Sequence, residues 1–157
     1  MTGPTQRLHA SCVAIAGCGV LIRGGPGTGK SGLALRLIDE GGVLIADDQT
    51  ILEAGEGGPV ASAPEAIRGL IEVRGLGIVT LAPADPTPVG LIVDLMPHGS
   101  IARMPDPDDL CDVLLGCRVA RIAVDPADPG AAARIRLAAR ILGGQGRRPG
   151  GEPRHST

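Results

Sequence analysis

Short apolar runs parted by glycine and proline dominate the hydrophobic pattern of this chain. Residues 11–16 and 19–23 are rich in valine and isoleucine and adjoin a Gly-Cys pair, so they predict two strands of a hairpin. The segment 24–29, GGPGTG, follows directly. Residues 30–39 then carry leucine and isoleucine at helical spacing, before a pair of glycines that stops a helix. The predicted order is strand, glycine-rich turn, helix.

The remaining apolar runs predict a mixed sheet and a second helix. Residues 43–46 form a continuous apolar run, typical of a strand buried on both faces, and the run stops at two aspartates. Further strands are predicted at residues 50–54, 60–63, 71–73, 78–81, 89–95 and 119–124. Residues 131–142 predict a helix whose core-facing residues are Ile135, Ala138, Ala139 and Leu142. The pattern therefore predicts an α/β fold, a sandwich built on a mixed sheet.

The length of the chain suits one domain. Its 157 residues can bury one core but not two. We assign residues 1–142 to this domain and expect the polar, glycine- and proline-rich residues 143–157 to form a disordered tail. One domain must then carry the whole function.

Composition narrows the possible partners and compartments. The chain has no Phe, Tyr or Trp on which bases stack, its formal net charge is -2 and it has no basic stripe, so we expect no nucleic-acid partner. No apolar run reaches the length of a membrane span and the N-terminus lacks the apolar segment of a signal peptide, so we expect a cytoplasmic protein without a membrane partner. The four cysteines never form a CxxC motif, and we expect reduced, buried thiols.

Residues 24–31, which we call the glycine loop, carry the clearest chemical motif. Their sequence GGPGTGKS fits the pattern GxxxxGKS of P-loops and lies between a predicted strand and a predicted helix, as that motif requires. Backbone amides would bind phosphates, Lys30 would lie in a solvent-facing anion site and reach the outer phosphates, and the Ser31 hydroxyl would bind Mg²⁺. The predicted ATP-binding residues are Gly24, Gly25, Pro26, Gly27, Thr28, Gly29, Lys30 and Ser31. The alternative is an ordinary turn in a glycine-rich protein.

Two adjacent carboxylates end the apolar run that follows the first predicted helix. Asp47 and Asp48 stand where P-loop proteins place a carboxylate that helps to hold Mg²⁺. Neighbouring side chains of an extended chain point to opposite sides, so we expect Asp47 to face the metal and Asp48 the acceptor group. The alternative is that Asp48 only begins a turn.

Further polar residues are candidates, each with a structural alternative. His9 lies just before the first predicted strand, where a histidine is also common as a surface or capping residue. Glu72 and Arg74 lie on one face of a predicted strand, where they would otherwise form a cross-strand salt bridge. Arg103 lies in a proline-rich loop and is either solvated or placed to neutralise a transferred phosphoryl group.

Taken together, these residues resemble the catalytic domain of the HPr kinase/phosphorylase family, bacterial enzymes that phosphorylate a serine of the phosphocarrier protein HPr. The resemblance rests on the succession of His9, the glycine loop, the ADD of residues 46–48 and the EVRGLGI of residues 72–78. It covers residues 7–142 and implies a short form that lacks the family's N-terminal domain. It also implies a homo-oligomer, a hexamer in this family.

The resemblance implies a role for each matched residue. The catalytic residues would be His9, Lys30, Asp48 as general base, and Arg103. The metal-binding residues predicted from the motif and the resemblance together are Ser31, Asp47 and Glu72. The family's downstream Pro/Gly/Arg segment, tied to dephosphorylation, is here DPADPG at residues 125–130 with no arginine directly after the glycine. We therefore expect any phosphorylase activity to be weak.

The sequence thus predicts a P-loop nucleotide-binding domain that uses ATP and Mg²⁺ to phosphorylate a seryl hydroxyl of an HPr-like phosphocarrier protein. Two alternatives stay open at this point. One is a regulatory module that binds ATP without transferring phosphate. The other is a P-loop kinase for a small metabolite.

Overall fold

Eleven strands and two α-helices make up residues 4–143, the part of the chain that the computed structural model describes. The strands are β1 Thr5–Leu8, β2 Ala10–Ile15, β3 Cys18–Arg23, β4 Val43–Ala46, β5 Thr50–Gly55, β6 Gly58–Ser62, β7 Leu70–Val73, β8 Gly77–Thr80, β9 Thr87–Leu95, β10 Cys111–Leu114 and β11 Cys117–Val124. The helices are α1 Lys30–Asp39 and α2 Ala131–Ala138, and a π-helical turn over Ala139–Gly143 continues α2.

Most of the strands form one mixed sheet. Its order is β1-β5-β6-β9-β3-β2-β4, and β11 pairs with β9 while β10 pairs with β11. The neighbours β3, β9 and β11 run parallel, and the other pairs of this sheet are antiparallel. The strands β7 and β8 form a separate two-stranded sheet. The predicted α/β fold with a mixed sheet is confirmed.

The alternation of side chains along the central strands divides the core between the two faces of the sheet. On β3, Ile22 packs in the cluster that contains both helices, whereas Leu21 lies in a second apolar cluster. On β9, Val93 and Ile92 are divided in the same way. Successive residues of a strand point to opposite faces, so strands as apolar as these need cover on both sides. The helices cover one face, and residues of β5 and β6 contribute to the second cluster.

The strongly apolar elements lie where the pattern predicts them. The β2-β3 hairpin forms, and α1 has the predicted bounds. Leu33 and Leu37 of this helix are buried in the core as expected. On β4, Leu44 joins one cluster and Ile45 joins the other, which confirms a strand covered on both faces.

The hydrophobic pattern does not predict two of the strands. The strand β1 has the polar, mostly exposed sequence TQRL and pairs with β5, and β10 exposes Val113 and pairs with β11. Both lie at sheet edges and are held by backbone hydrogen bonds, which depend little on the side chains. Because β1 precedes His9, the prediction that His9 lies before the first strand is wrong.

The second helix is shorter than predicted. Its α-helical part ends at Ala138, and the π-helical turn carries the chain on to Gly143. The residues predicted to face the core do so, although Ala138 and Leu142 are only partly buried. Gly143 therefore belongs to this turn and not to a tail, whereas residues 144–157 of the predicted tail lie outside the described residues. No helix within residues 4–143 combines the length and apolar character that crossing a membrane requires.

The four cysteines differ in their exposure. Cys12 and Cys18 are buried, as expected, and burial raises the pKa of the Cys12 thiol. Cys111 and Cys117 lie on the β10-β11 hairpin at the edge of the sheet and are partly exposed. The expectation of buried thiols is therefore wrong for this second pair.

Replacing a side chain of the central strand should test how tightly this core is packed. Ile92 of β9 is fully buried, so Ile92→Ala should lower the free energy of unfolding by about 2–5 kcal/mol. Leu76→Ala is the matched control because Leu76 is 76% exposed. Urea denaturation followed by circular dichroism would measure both. Equal losses in the two variants would contradict this description of the core.

Candidate active site

The direction of the strands brings the predicted site residues to one edge of the sheet. The glycine loop leaves the carboxyl end of β3, residues 96–110 follow its parallel partner β9, and residues 125–130 follow β11, which pairs in parallel with β9. The antiparallel pairing of β2 with β3 brings His9 to this edge, and the pairing of β4 with β2 brings Asp47 and Asp48 there. Ligand sites of α/β proteins lie at the carboxyl ends of parallel strands. This edge is the candidate active site.

The glycine loop has a backbone that requires glycine. Gly27 and Gly29 have φ angles of 74° and 104°, a region in which residues with a Cβ atom are strained. Inside the loop, the Thr28 hydroxyl donates to the carbonyl oxygen of Gly25 at 2.6 Å. The helix α1 begins directly after Gly29, and no side chain caps its first turn. Its first backbone N–H groups are therefore placed to bind an anion such as a phosphate.

Lys30 is held inside the glycine loop. Its side-chain Nζ donates to the carbonyl oxygens of Gly24 and Gly25 at 2.9 and 3.0 Å, and the residue is only 6% exposed. The ammonium group is thus buried within the anion site that was expected to face solvent. The reason is that an ammonium group carries three N–H donors, and the carbonyl groups of the loop satisfy two of them within the fold. The positive charge is thereby fixed in the loop where phosphates would bind.

The Asp47 carboxylate is buried and fixed by three hydrogen bonds. Its Oδ1 accepts from the hydroxyl of Ser31 at 2.7 Å and from that of Ser11 at 2.9 Å, and its Oδ2 accepts from the backbone N–H of Glu72 at 3.1 Å. These contacts place a carboxylate beside the hydroxyl at the start of α1. The arrangement fits Mg²⁺, which prefers oxygen ligands. This ion usually takes only one or two of its ligands from protein side chains and the others from phosphate groups and water. Among residues 4–143, no three His, Cys, Asp or Glu side chains are grouped to hold a metal by themselves.

Ser11 is a site residue that the sequence analysis missed. It is fully buried on β2; its hydroxyl donates to Asp47 and accepts the backbone N–H of Asp48 at 3.0 Å. Ser11 thus holds both aspartates at once. A buried serine inside the apolar strand sequence SCVAI is a signal for such a role, because a buried hydroxyl needs partners.

Asp48 points away from Asp47 and toward His9. Its Oδ1 lies 3.3 Å from Nε2 of His9, and both side chains are about half exposed, at 58% and 48%. The two aspartates diverge as expected, but the expectation that an extended chain separates them is wrong. Asp48 has a φ angle of 69°, so the chain is not extended here; the N–H of Gln49 donates to the carbonyl of Asp47 in a tight turn. Aspartate tolerates this left-handed conformation better than most residues do.

The structure brings Glu72 to the site but not Arg74. Glu72 lies on β7 with its backbone N–H on Asp47, while its carboxylate is exposed. Arg74 lies outside β7 in the turn that leads to β8, so the two residues do not share a strand face. The ion pairs of residues 4–143 do not include one between them, and the cross-strand alternative is wrong. That Glu72 binds a metal stays a prediction.

Arg103 lines a cleft beside the glycine loop. The cleft has a volume of about 850 Å³, and the turns after β9 and β11 form much of its wall. The turn after β11, which contributes Asp125 and Asp128 to the cleft, also lies against the glycine loop, because the Cβ of Pro126 would be 3.2 Å from a Cβ added to Gly29. Arg103 is exposed and lies in the segment that follows the carboxyl end of β9, but no contact joins it to Lys30 or Asp48. Its catalytic role stays a prediction.

A cluster of four charged residues lies at the base of the glycine loop, and the sequence analysis did not identify it. Arg23 donates to both oxygens of Asp94 at 2.7 and 2.8 Å and to Asp112 at 2.8 Å. Arg121 donates to Asp94 at 2.5 Å. Charged residues inside the apolar strands β9 and β11 are the signal for such a cluster, because parallel neighbours bring them side by side.

The cluster shifts the ionisation of its carboxyl groups. Burial opposes ionisation of Asp94, but hydrogen bonds from Arg23 and Arg121 outweigh it and hold the pKa of Asp94 below its ordinary value. The pKa of Asp112 is also lowered, first by the hydrogen bond from Arg23 and then by the N–H of Val113. The pKa of the Arg23 guanidinium is raised, mainly by its hydrogen bond with Asp94. All these groups are therefore charged near neutral pH.

Comparison with known proteins identifies similar chains. A family model described as the HPr Serine kinase C-terminal domain matches residues 2–84, a range that contains every predicted site residue except Arg103. A HPr kinase/phosphorylase from Clostridium tetani is 40% identical over 103 residues, which are 64% of this chain and 32% of that protein. One from a Geobacillus species is 48% identical over 79 residues, 50% of this chain and 25% of that protein.

A solved structure is similar over most of the chain. It is described as the HPr(Ser) kinase/phosphatase from Coxiella burnetii, and it superimposes with a TM-score of 0.73 at 30% identity. The match covers 86% of this chain and 88% of that one. By contrast, the matches span only 32% and 25% of the length of the two curated relatives above.

Acid should weaken the fold by releasing the charge cluster. A carboxyl group whose pKa is lower in the folded than in the unfolded state stabilises the fold above its unfolded pKa of about 4, and this stabilisation is lost as the pH falls through the folded pKa. The stability difference between wild type and Asp94→Asn, measured with urea, should therefore be largest near neutral pH and shrink as the pH falls below about 4. A difference that stays constant would contradict the role of an ionised Asp94.

Proposed function

We propose that this chain transfers the γ-phosphoryl group of ATP to a seryl hydroxyl of an HPr-like phosphocarrier protein. The chain belongs to the HPr serine kinase C-terminal domain family, and this membership supports the proposal. The observation that carries the proposal is the division between the two aspartates. Asp47 is buried and fixed on Ser31, while Asp48 is exposed beside His9 at the same edge of the sheet. This division supports a role for Asp47 on the metal side and for Asp48 on the acceptor side.

In this proposal the glycine loop binds the phosphates of ATP. The uncapped start of α1 presents N–H groups, and Lys30 adds a positive charge that the carbonyl oxygens of Gly24 and Gly25 hold in the loop. The predicted oxygen ligands for Mg²⁺ are Ser31, Asp47 and Glu72. The metal, when bound, would neutralise phosphate charge and draw electron density from the group being transferred.

Asp48 acts as the general base in the proposed reaction. The acceptor oxygen forms a bond to the γ-phosphorus and its proton passes to Asp48. The bond between the γ-phosphorus and the β,γ-bridging oxygen breaks, and ADP leaves with that electron pair. Asp48 suits this task because its carboxylate is exposed, so a hydroxyl of another protein has access to it. Asp47 does not suit it, because it is buried away from the hydroxyl of another protein and is held beside Ser31 by its hydrogen bonds. His9 orients the Asp48 carboxylate, and Arg103 neutralises charge on the transferred group.

The acceptor, the reverse reaction and the assembly belong to the same proposal. The relatives are named HPr kinase/phosphorylase, and an HPr-like protein is the acceptor that those names support. We infer weak phosphorylase activity from residues 125–130, in which the glycine is followed by alanine. A cytoplasmic location, assembly as a homo-oligomer such as a hexamer, and the lack of a nucleic-acid partner stay predictions.

Removing the Lys30 charge should weaken ATP binding. Lys30→Ala removes the cation from the glycine loop, so the dissociation constant of Mg-ATP should rise by about 10- to 100-fold. Arg136→Ala is the matched control, because Arg136 is an exposed cation that pairs with Glu40 on the surface. Isothermal titration calorimetry would measure both. Equal affinity of wild type and Lys30→Ala would refute nucleotide binding by the loop.

Removing the proposed base should slow transfer without removing ATP. Asp48→Asn keeps the size of the side chain but cannot accept a proton, so transfer of label from γ-³²P ATP to the host's HPr-like protein should fall by about 10²- to 10⁴-fold. ATP should still bind, which calorimetry can check. Transfer at the wild-type rate would remove the base assignment.

Asp47→Asn is the comparison that separates the two carboxylates. Because Asp47 lies on Ser31, its loss should raise the Mg²⁺ concentration needed for half-maximal transfer, whereas extra Mg²⁺ should not rescue Asp48→Asn. The same assay on wild type decides between the functions. ATP that binds without transfer would favour a regulatory module, and label on a small metabolite would favour a metabolite kinase.

A further inference from the structure

The charge cluster at the base of the glycine loop connects this loop with the segment that carries Arg103, although the two make no direct contact in the proposed site. Arg23 is the last residue of β3 and immediately precedes Gly24, the first residue of the loop. Asp94 lies at the same level on the parallel neighbour β9, paired in register with Arg23. The bidentate contact between their side chains therefore fixes the start of the glycine loop against the end of β9.

The same cluster holds both ends of the loop that carries Arg103. From Arg121, Nη1 donates to the carbonyl oxygen of Asp109 at 2.9 Å and Nη2 lies 3.8 Å from Sδ of Met96. These two residues stand at the two ends of residues 96–110. Just beyond the loop, Asp112 accepts a hydrogen bond from Arg23. Arg103 itself, in the middle of the loop, is exposed, so its position depends on how the ends are held.

Asp94 is the member on which the others depend. Its two oxygens accept from both guanidinium groups, and its side chain is only 20% exposed. Without this carboxylate, Arg23 and Arg121 would face each other as two partly buried cations in the low-dielectric margin of the core. The hydrogen bond of Asp112 would still reach Arg23 but not Arg121, and Asp112 is 43% exposed.

We propose that Asp94 is a positioning residue for phosphoryl transfer, which sets Arg103 relative to the glycine loop by holding Arg23 and Arg121 together. This inference rests on the proposed function, since it assigns Arg103 to the group being transferred. Asp94 touches neither ATP nor the acceptor in this scheme. It acts through Arg121, whose contacts at Met96 and Asp109 hold the loop.

A double-mutant cycle tests the proposal. Arg103→Ala should lower the transfer rate of wild type by at least about 10-fold, because it removes a charge from the transferring group. In an Asp94→Asn background Arg103 is already misplaced, so Arg103→Ala should slow transfer much less. The fold loss in rate that it causes should be smaller there than in wild type by a factor of about 2 to 100. Losses that multiply, or an Arg103→Ala protein with the wild-type rate, would overturn the proposal.

Two controls separate positioning from a general loss of stability. Asp85→Asn makes the same substitution in the Arg68–Asp85 pair, in which Asp85 is 95% exposed, and the cost of Arg103→Ala should stay unchanged in that background. Arg121→Gln keeps the Arg23–Asp94 pair but removes the contacts at Met96 and Asp109. It should reproduce the effect of Asp94→Asn, and it replaces that variant in the cycle if Asp94→Asn does not fold.

A measurement without nucleotide or acceptor completes the test. Amide hydrogen exchange in residues 97–108 should be faster in Asp94→Asn than in Asp85→Asn, because only the former releases the ends of the loop. Equal exchange would overturn the proposal. A wild-type protein that transfers no phosphate would instead refute the proposed function itself, whereas an active wild type whose losses multiply would remove only the role of Asp94.

Discussion

The Asp47 carboxylate accepts hydrogen bonds from three separate elements of the fold. Ser11 belongs to β2, Ser31 to α1 and Glu72 to β7, and each donates to one of its oxygens. A buried carboxylate is stable only when its oxygens are satisfied, so these contacts constrain where the three elements lie. The glycine loop, the Ser31 hydroxyl and the β7-β8 hairpin are placed around this one group.

The two adjacent aspartates differ in burial because their backbones differ. Asp47 ends the apolar β4 and is buried, whereas the left-handed turn at Asp48 moves the next carboxylate out to His9. The same hydroxyl of Ser11 fixes both, through the carboxylate of one and the backbone N–H of the other. A fixed carboxylate suits a metal site, and an exposed one suits a proton acceptor that must meet another protein.

Polar clusters at one end of the sheet hold the segments that leave a core built from aliphatic side chains. Apolar side chains of Val, Ile, Leu and Ala fill the two clusters on either side of β3 and β9. These side chains carry no directional contacts, so they do not fix the loops that leave the sheet. The charge cluster around Asp94 and the hydroxyl contacts of Asp47 provide that direction where β3, β4 and β9 end. Both polar sites lie next to the glycine loop.

The sequence by itself determined the strongly apolar strands, α1 and the glycine loop, because hydrophobic periodicity and glycine spacing are local properties. It also indicated Lys30, Ser31, Asp47, Asp48 and His9 through short motifs and the family resemblance. Only the tertiary structure decided that Asp48 turns back toward His9, that Lys30 is buried and that Ser11 joins both aspartates. Those outcomes depend on which strands become neighbours. The formation of the edge strand β1 and of the cluster around Asp94 depends on strand pairing in the same way. Strand pairing connects residues far apart in the chain, such as Arg23 and Asp94, and no local pattern encodes it.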